Sequence, residues 1–87
     1  MKTTRVTILN ESGLHARPSA KIANLASRFG CDIRIATPQK TIDAKSIMQV
    51  MMLAATQGTE VEITTDGRDE DAALAAIAEL FNNRFDE

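Results

Sequence analysis

The feature that most restricts this chain is the way its apolar period switches between two and 3.6 residues. Thr4–Leu9 alternates, Val6 and Ile8 toward one side and Arg5 and Thr7 toward the other, as a strand with one buried face requires. After the break at Asn10-Glu11-Ser12-Gly13 the period turns helical. From Pro18 onward, Ile22, Leu25, Ala26 and Phe29 fall at i, i+3, i+4 and i+7, with Lys21, Asn24 and Arg28 facing away. Gly30, tolerant of the left-handed conformation, and Arg28, a positive charge for the negative helix end, predict that this helix runs up to Gly30.

The alternation returns at Cys31–Ala36, a turn follows around Pro38, and Thr41–Asp43 completes a hairpin. Ser46 is a good N-cap for a second helix over Ile47–Ala55, which Gly58 closes. Glu60–Thr65 reads as a strand ending in the Asp66-Gly67 turn. Asp69, Glu70 and Asp71 then load negative charge at the start of a last helix, carried by Ala73, Leu74, Ile77, Leu80 and Phe81 to about Asn82. The order is βαββαβα, with one apolar face per strand and one apolar stripe per helix. The class is therefore α+β, with helices covering one side of a mostly antiparallel sheet.

Composition narrows the function. At 87 residues the chain is expected to form one domain, residues 1–87. It has no apolar run near the roughly 18 residues that cross a bilayer, and no signal-like stretch ahead of its first strand, so a cytoplasmic protein without membrane contact is expected. A net charge of −2, with three Phe and neither Trp nor Tyr, supplies neither the basic excess nor the stacking platform of a nucleic-acid binder. One His and one Cys are too few soft ligands for a closed metal site, which disfavours a metal-handling domain. Cys31, without a disulfide partner, reads as a small buried hydrophobe.

The single histidine stands in Gly13-Leu14-His15-Ala16-Arg17-Pro18, at the mouth of the first helix. Gly13 permits a sharp approach, and Pro18 suits a first turn, where its missing donor costs nothing. The open amides and partial positive charge of a helix start attract anions and favour neutral imidazole, whose lone pair can attack phosphorus. Arg17 adds a guanidinium suited to phosphate oxygens. Local residues support two readings at this point, a phosphoryl site or a surface histidine acting as a cap. Anion stabilisation by a helix end is typically about 0.3–1 kcal/mol, which suits cargo that must be given away.

These residues resemble the active-site signature of the HPr family, the histidine phosphocarriers of the bacterial phosphotransferase system. Lys45-Ser46-Ile47-Met48-Gln49-Val50-Met51-Met52-Leu53-Ala54-Ala55, followed by Gly58-Thr59, resembles the family's second signature at the expected separation. The resemblance covers essentially the whole chain. It implies a βαββαβα open-faced sandwich, with a four-stranded mostly antiparallel sheet and three helices on one face. It further implies that His15 accepts a phosphoryl group on Nδ1 from phosphorylated enzyme I and passes it to a histidine of an enzyme IIA protein or domain. Ala16 and Arg17 would hold the phosphoryl group, with Arg17 assisting transfer, and no cofactor would be needed. The tail Leu80–Glu87 and Val50–Leu53 look like those of NPr, the paralogue of the nitrogen-related branch, so sugar uptake and nitrogen regulation both stay open.

In many members the serine matching Ser46 is phosphorylated by an HPr kinase/phosphorylase, which makes that enzyme a further candidate partner. A phosphate there would sit well on a helix start while repelling an acidic partner. Gln49 departs from the glycine common in kinase-regulated members. Ile47, Met48, Gln49 and Met51 are expected to border a docking patch shared by enzyme I and enzyme IIA, since flexible thioethers suit a surface that must fit several partners. Both helix starts are expected beside that patch, with Arg17, Lys21 and Lys45 facing acidic partners. The chain is expected to be a monomer. The competing reading is a non-catalytic regulatory adaptor that binds through Ile47, Met48 and Met51, with His15 incidental and Ser46 phosphorylation as its switch.

Overall fold

In the computed structural model, which describes residues 1–86, the elements follow the expected order. They are β1 (Lys2–Thr7), α1 (Ala16–Ala26), β2 (Asp32–Ala36), β3 (Thr41–Asp43), α2 (Ile47–Met52), β4 (Glu60–Asp66), α3 (Glu70–Asn82) and a 3₁₀ turn at Arg84–Asp86. Glu87, the end of the expected domain and of the tail compared with the nitrogen branch, lies outside the described residues.

Every strand pairing is antiparallel, in the spatial order β1-β4-β2-β3. The period-2 pattern explains the register. Ile42, Ile35 and Ile63 sit opposite one another across three strands, and Val6 faces Val61, so one face of the sheet becomes a continuous apolar surface. All five of these side chains are buried. Ile22 and Ala26 of α1, Val50 of α2, and Ala73, Ile77 and Phe81 of α3 join them in one core. Each fully buried large aliphatic or aromatic side chain contributes roughly 1.5–3 kcal/mol.

Two helix boundaries differ from the sequence reading, and a turn not expected follows the last helix. α1 stops at Ala26, and Gly30 is not its left-handed cap. Ser27 Oγ donates to Ala23 O (2.8 Å), while Arg28 and Phe29 donate their N–H groups to Leu25 O and Ala26 O, so the chain tightens into i→i+3 turns before glycine is reached. α2 ends at Met52, short of the expected Ala55, because Ala54 enters the left-handed region at φ 51°. Gly58 (φ 88°) serves the turn into β4, donating its N–H to Ile8 O.

The third difference lies beyond Asn82. Arg84, Phe85 and Asp86 have φ of 54°, 57° and 60°, and this left-handed turn drives Phe85 into the core, edge-on against Phe81 with ring centroids 4.8 Å apart. Lys21 Nζ donates to Phe85 O and secures the turn to α1. Lys45 is likewise committed, its Nζ donating to Phe29 O at 2.8 Å. Neither ammonium stands out toward a partner as expected. Both satisfy main-chain carbonyls that helical bonding leaves open.

These tethers also fix how α1 and α2 lie. Leu14 N–H, just before α1, donates to Ala55 O beyond the end of α2, whereas Lys45, just before α2, reaches Phe29 beyond the end of α1. The two helices therefore run in opposite senses, and their starts do not share one end of the molecule.

Candidate functional site

The loop before α1 is built from the inside outward. Asn10, buried, donates from Nδ2 to Gly13 O (2.7 Å), while Gly13 N–H donates to Asn10 O (3.2 Å), closing a tight turn. Gly13 adopts φ 64°, and a Cβ there would stand 2.9 Å from Thr56 Cα and closer still to the Ala55 carbonyl oxygen. Only glycine lets this loop lie against residues 55–56. Leu14 is then buried and bonded to Ala55 O at 3.0 Å, which anchors the residue immediately before His15.

His15 is the N-cap residue of α1, with extended backbone (φ −83°, ψ −168°), and its side chain makes no capping bond to the helix. It is exposed, as are Ala16 and Arg17. The first intrahelical bond runs from Ser19 N–H to His15 O (3.0 Å), and Pro18 has no N–H. The open donors of the first turn are thus the amides of Ala16 and Arg17. Buried Pro18 and Ser19, whose Oγ donates to Leu14 O at 3.3 Å, fasten the turn from below. His15 thus stands at the positive end of an eleven-residue helix, with Arg17 two residues on. Two shallow depressions on the surface lie elsewhere, one among Arg5, Thr37, Pro38, Glu60 and Glu62, the other among Leu25, Glu79, Leu80 and Asn83. His15 lines neither of them, and its exposure suits reaction inside a protein–protein contact.

The other predicted residues lie on α2. Ser46 Oγ accepts from Gln49 N–H (3.3 Å), the N-cap bond expected of it. Gln49 answers by accepting from Asp43 N–H through Oε1 (2.9 Å), and Asp43 Oδ1 accepts from Lys45 N–H (2.9 Å). The Ser-x-x-Gln spacing of a capping box was the available signal for this closure. Gln49 is exposed but its side-chain carbonyl is already engaged, whereas Ile47, Met48 and Met51 stand open, 41%, 70% and 40% exposed. Met52, at 58%, extends the same surface; the methionines at 48, 51 and 52 are too many for one core stripe, yet the expected docking patch did not include Met52. Its i+4 relation to Met48 was the clue. The apolar strip follows α2 toward Ala54–Thr56, the segment on which Gly13 and Leu14 rest.

The chain matches the family model described as "PTS HPr component phosphorylation site" over residues 2–83. It is 50% identical to the phosphocarrier protein HPr of Pseudomonas aeruginosa over 88 aligned residues, covering all of this chain and 98% of the relative. Among solved structures, HPr-C-His from Thermoanaerobacter tengcongensis superposes with a TM-score of 0.95 at 39% identity, over 100% and 98% of the two chains. Crh, the Bacillus subtilis catabolite repression HPr, described as a dimer with a swapping domain, superposes with a TM-score of 0.78 at 37% identity, over 95% of each chain.

Proposed function

This chain belongs to the HPr family and is a phosphocarrier of the phosphotransferase system, and on that premise we propose that His15 is the residue that carries the phosphoryl group. The observation that carries the reading is an exposed imidazole placed as the N-cap of α1 without capping it, beside the open amides of Ala16 and Arg17. The Nδ1 lone pair attacks phosphorus as the bond to the donor breaks, and that bond's electron pair leaves with the donor. Handing the group to an acceptor repeats the exchange in reverse. The Ala16 and Arg17 amides and the Arg17 guanidinium accompany the phosphoryl oxygens, stabilising negative charge by amounts typical of a helix end, about 0.3–1 kcal/mol. Such modest stabilisation leaves the group transferable.

Phosphorylated enzyme I is the donor and a histidine of an enzyme IIA protein or domain the acceptor, meeting in the cytoplasm on the surface of Ile47, Met48 and Met51, with Gln49 at its edge. Residues 1–87 act as one domain. Ser46 is a second, regulatory phosphorylation site for an HPr kinase/phosphorylase. Because α2 starts toward the far end of α1 rather than beside its start, a phosphate there would work on the partner's surface rather than on the imidazole. The working unit is a monomer, and since Crh is described as a swapped dimer, sedimentation at working concentration checks this.

Incubation of the full chain with phosphoenolpyruvate and enzyme I is expected to give an acid-labile adduct on His15, mapped by mass spectrometry and absent from folded His15→Ala. An adduct on another residue, or none in a folded sample, would refute the assignment.

A further inference from the structure

Among the described residues, the large apolar side chains most open to solvent are Met1, Ile47, Met48, Met51 and Met52. Three of these thioethers share one short helix. Met48 and Met52 are one turn apart, and Met51 follows Ile47 by four residues, so these side chains share the exposed face of α2 whose far end, at Ala55, holds Leu14 of the His15 loop. The other sulfur nucleophile is withdrawn. Cys31 is 2% exposed, and burial, with a contribution from Asp69, pushes its thiol above the ordinary range, keeping it in the unreactive protonated form. A two-electron oxidant meeting this chain therefore finds methionine sulfur first.

We infer that Met48, Met51 and Met52 form a reversible oxidation site for peroxides, through which oxidants lower phosphoryl flow by making the docking strip polar. The inference rests on the docking reading above. In the reaction a sulfur lone pair attacks one peroxide oxygen, the O–O bond breaks, and an S–O bond forms. The departing hydroxide takes up a proton as water, sulfur is oxidised by two electrons, and the peroxide is reduced by two. The product exchanges a flexible apolar tip for a strongly polar one that must be desolvated when a partner covers it. The helix itself is spared, because its anchor is the fully buried Val50 and the oxidised side chains are already 40–70% exposed.

The test treats the full chain with hydrogen peroxide, counts sulfoxides by mass spectrometry, and measures phosphoryl transfer from phosphorylated enzyme I. Circular dichroism confirms that the fold persists. Oxidation at the three positions is expected to raise KM about tenfold with kcat held within about twofold. Methionine sulfoxide reductases should restore KM. The combined Met48→Leu, Met51→Leu and Met52→Leu variant should show the same KM before and after peroxide, whatever its starting value. That variant retains Met1, so a response persisting in it would overturn the assignment to α2. An unchanged KM in fully oxidised wild type overturns the inference outright. Met51→Lys in the same assay separates the two ideas. A raised KM there with no effect of oxidation removes only the switch, and no effect of either removes the docking reading as well.

Discussion

The two N-terminal helix entrances, of α1 at His15 and of α2 at Ser46, face the same physical problem and solve it in opposite ways. Each begins with orphan amides. At α2 one of them is closed off by a side chain, since Ser46 Oγ accepts from Gln49 N–H, while Gln49 Oε1 accepts from Asp43 N–H and Asp43 Oδ1 from Lys45 N–H. At α1 the residue in the capping position makes no such bond, and the support comes from behind, through Asn10, Gly13, Leu14 and Ser19. Closing a start stabilises the helix by about 1 kcal/mol. Leaving it open gives that up and keeps donors for an anion. The difference teaches where to look for chemistry in a small domain: at the helix end whose cap is missing while its underside is over-built.

The largest effect should come from attacking that underside. Gly13→Ala places a methyl against the Ala55 carbonyl and Thr56 Cα at φ 64°, where neither neighbour is a flexible side chain that can yield. A loss of about 2–4 kcal/mol is expected in urea titration, together with slower transfer because the His15 loop shifts. Near-wild-type stability would mean that the loop is less firmly seated than the comparison requires. Next is Arg17→Lys, which keeps the charge and removes the fork. Transfer efficiency, kcat/KM, should fall about 10- to 100-fold while the melting temperature barely moves, since Arg17 is exposed. An equal loss of both would place Arg17 in the scaffold instead.

Much of this contrast was legible in the sequence. The strands and the order of elements followed from period alone, because each strand buries one face, and Gly13, His15, Arg17 and Pro18 marked the open entrance by residue type. What escaped depended on contacts distant along the chain. Nothing near Lys45 or Lys21 announces that their ammonium groups will serve Phe29 and Phe85 carbonyls. That α1 and α2 run in opposite senses is likewise decided by tethers between residues 14 and 55 and between 29 and 45. Phe85 was overlooked because its route to the core uses three consecutive left-handed residues, a path that local propensity argues against. The helix ends were misplaced for a related reason. Ser27 and Ala54 terminate α1 and α2 where no glycine signals a stop.

A smaller effect tests the closed entrance. Ser46→Ala leaves the Gln49 amide without its acceptor and should cost about 1 kcal/mol, which lowers the melting temperature of a domain this size by roughly 4–8 °C. Ser46→Asp should recover most of that loss, because a carboxylate caps as well as a hydroxyl and also suits the helix dipole. If Ser46→Ala were as damaging as Gly13→Ala, the contrast between a cap that only stabilises and a loop that positions chemistry would fail.

The smallest effect comes from the third entrance, which sharpens the comparison because its acidic residues are spent on other segments. Asp69 stands at the N-cap of α3 yet makes no capping bond, and its Oδ2 accepts from Gly30 N–H at 2.9 Å, joining the end of the α1 segment to the start of α3. That amide holds the Asp69 carboxyl below its ordinary 3.8, burial opposing and Cys31 assisting. Gly67 N–H, donating at 3.0 Å, similarly holds Glu70 below its ordinary 4.5. Because both folded-state values are depressed, the stability they contribute is complete above about pH 4.5. It drains away as pH falls through the unfolded values and is gone below the folded ones. Melting temperature should therefore be level through neutral pH and decline below about 4.5. Asp69→Asn, which keeps an oxygen for Gly30 but cannot ionise, should shallow that decline at the cost of a slightly lower plateau. An unchanged acid slope would show that the Asp69–Gly30 bond does not join the two segments energetically, and that α3, like α1, begins without a working cap.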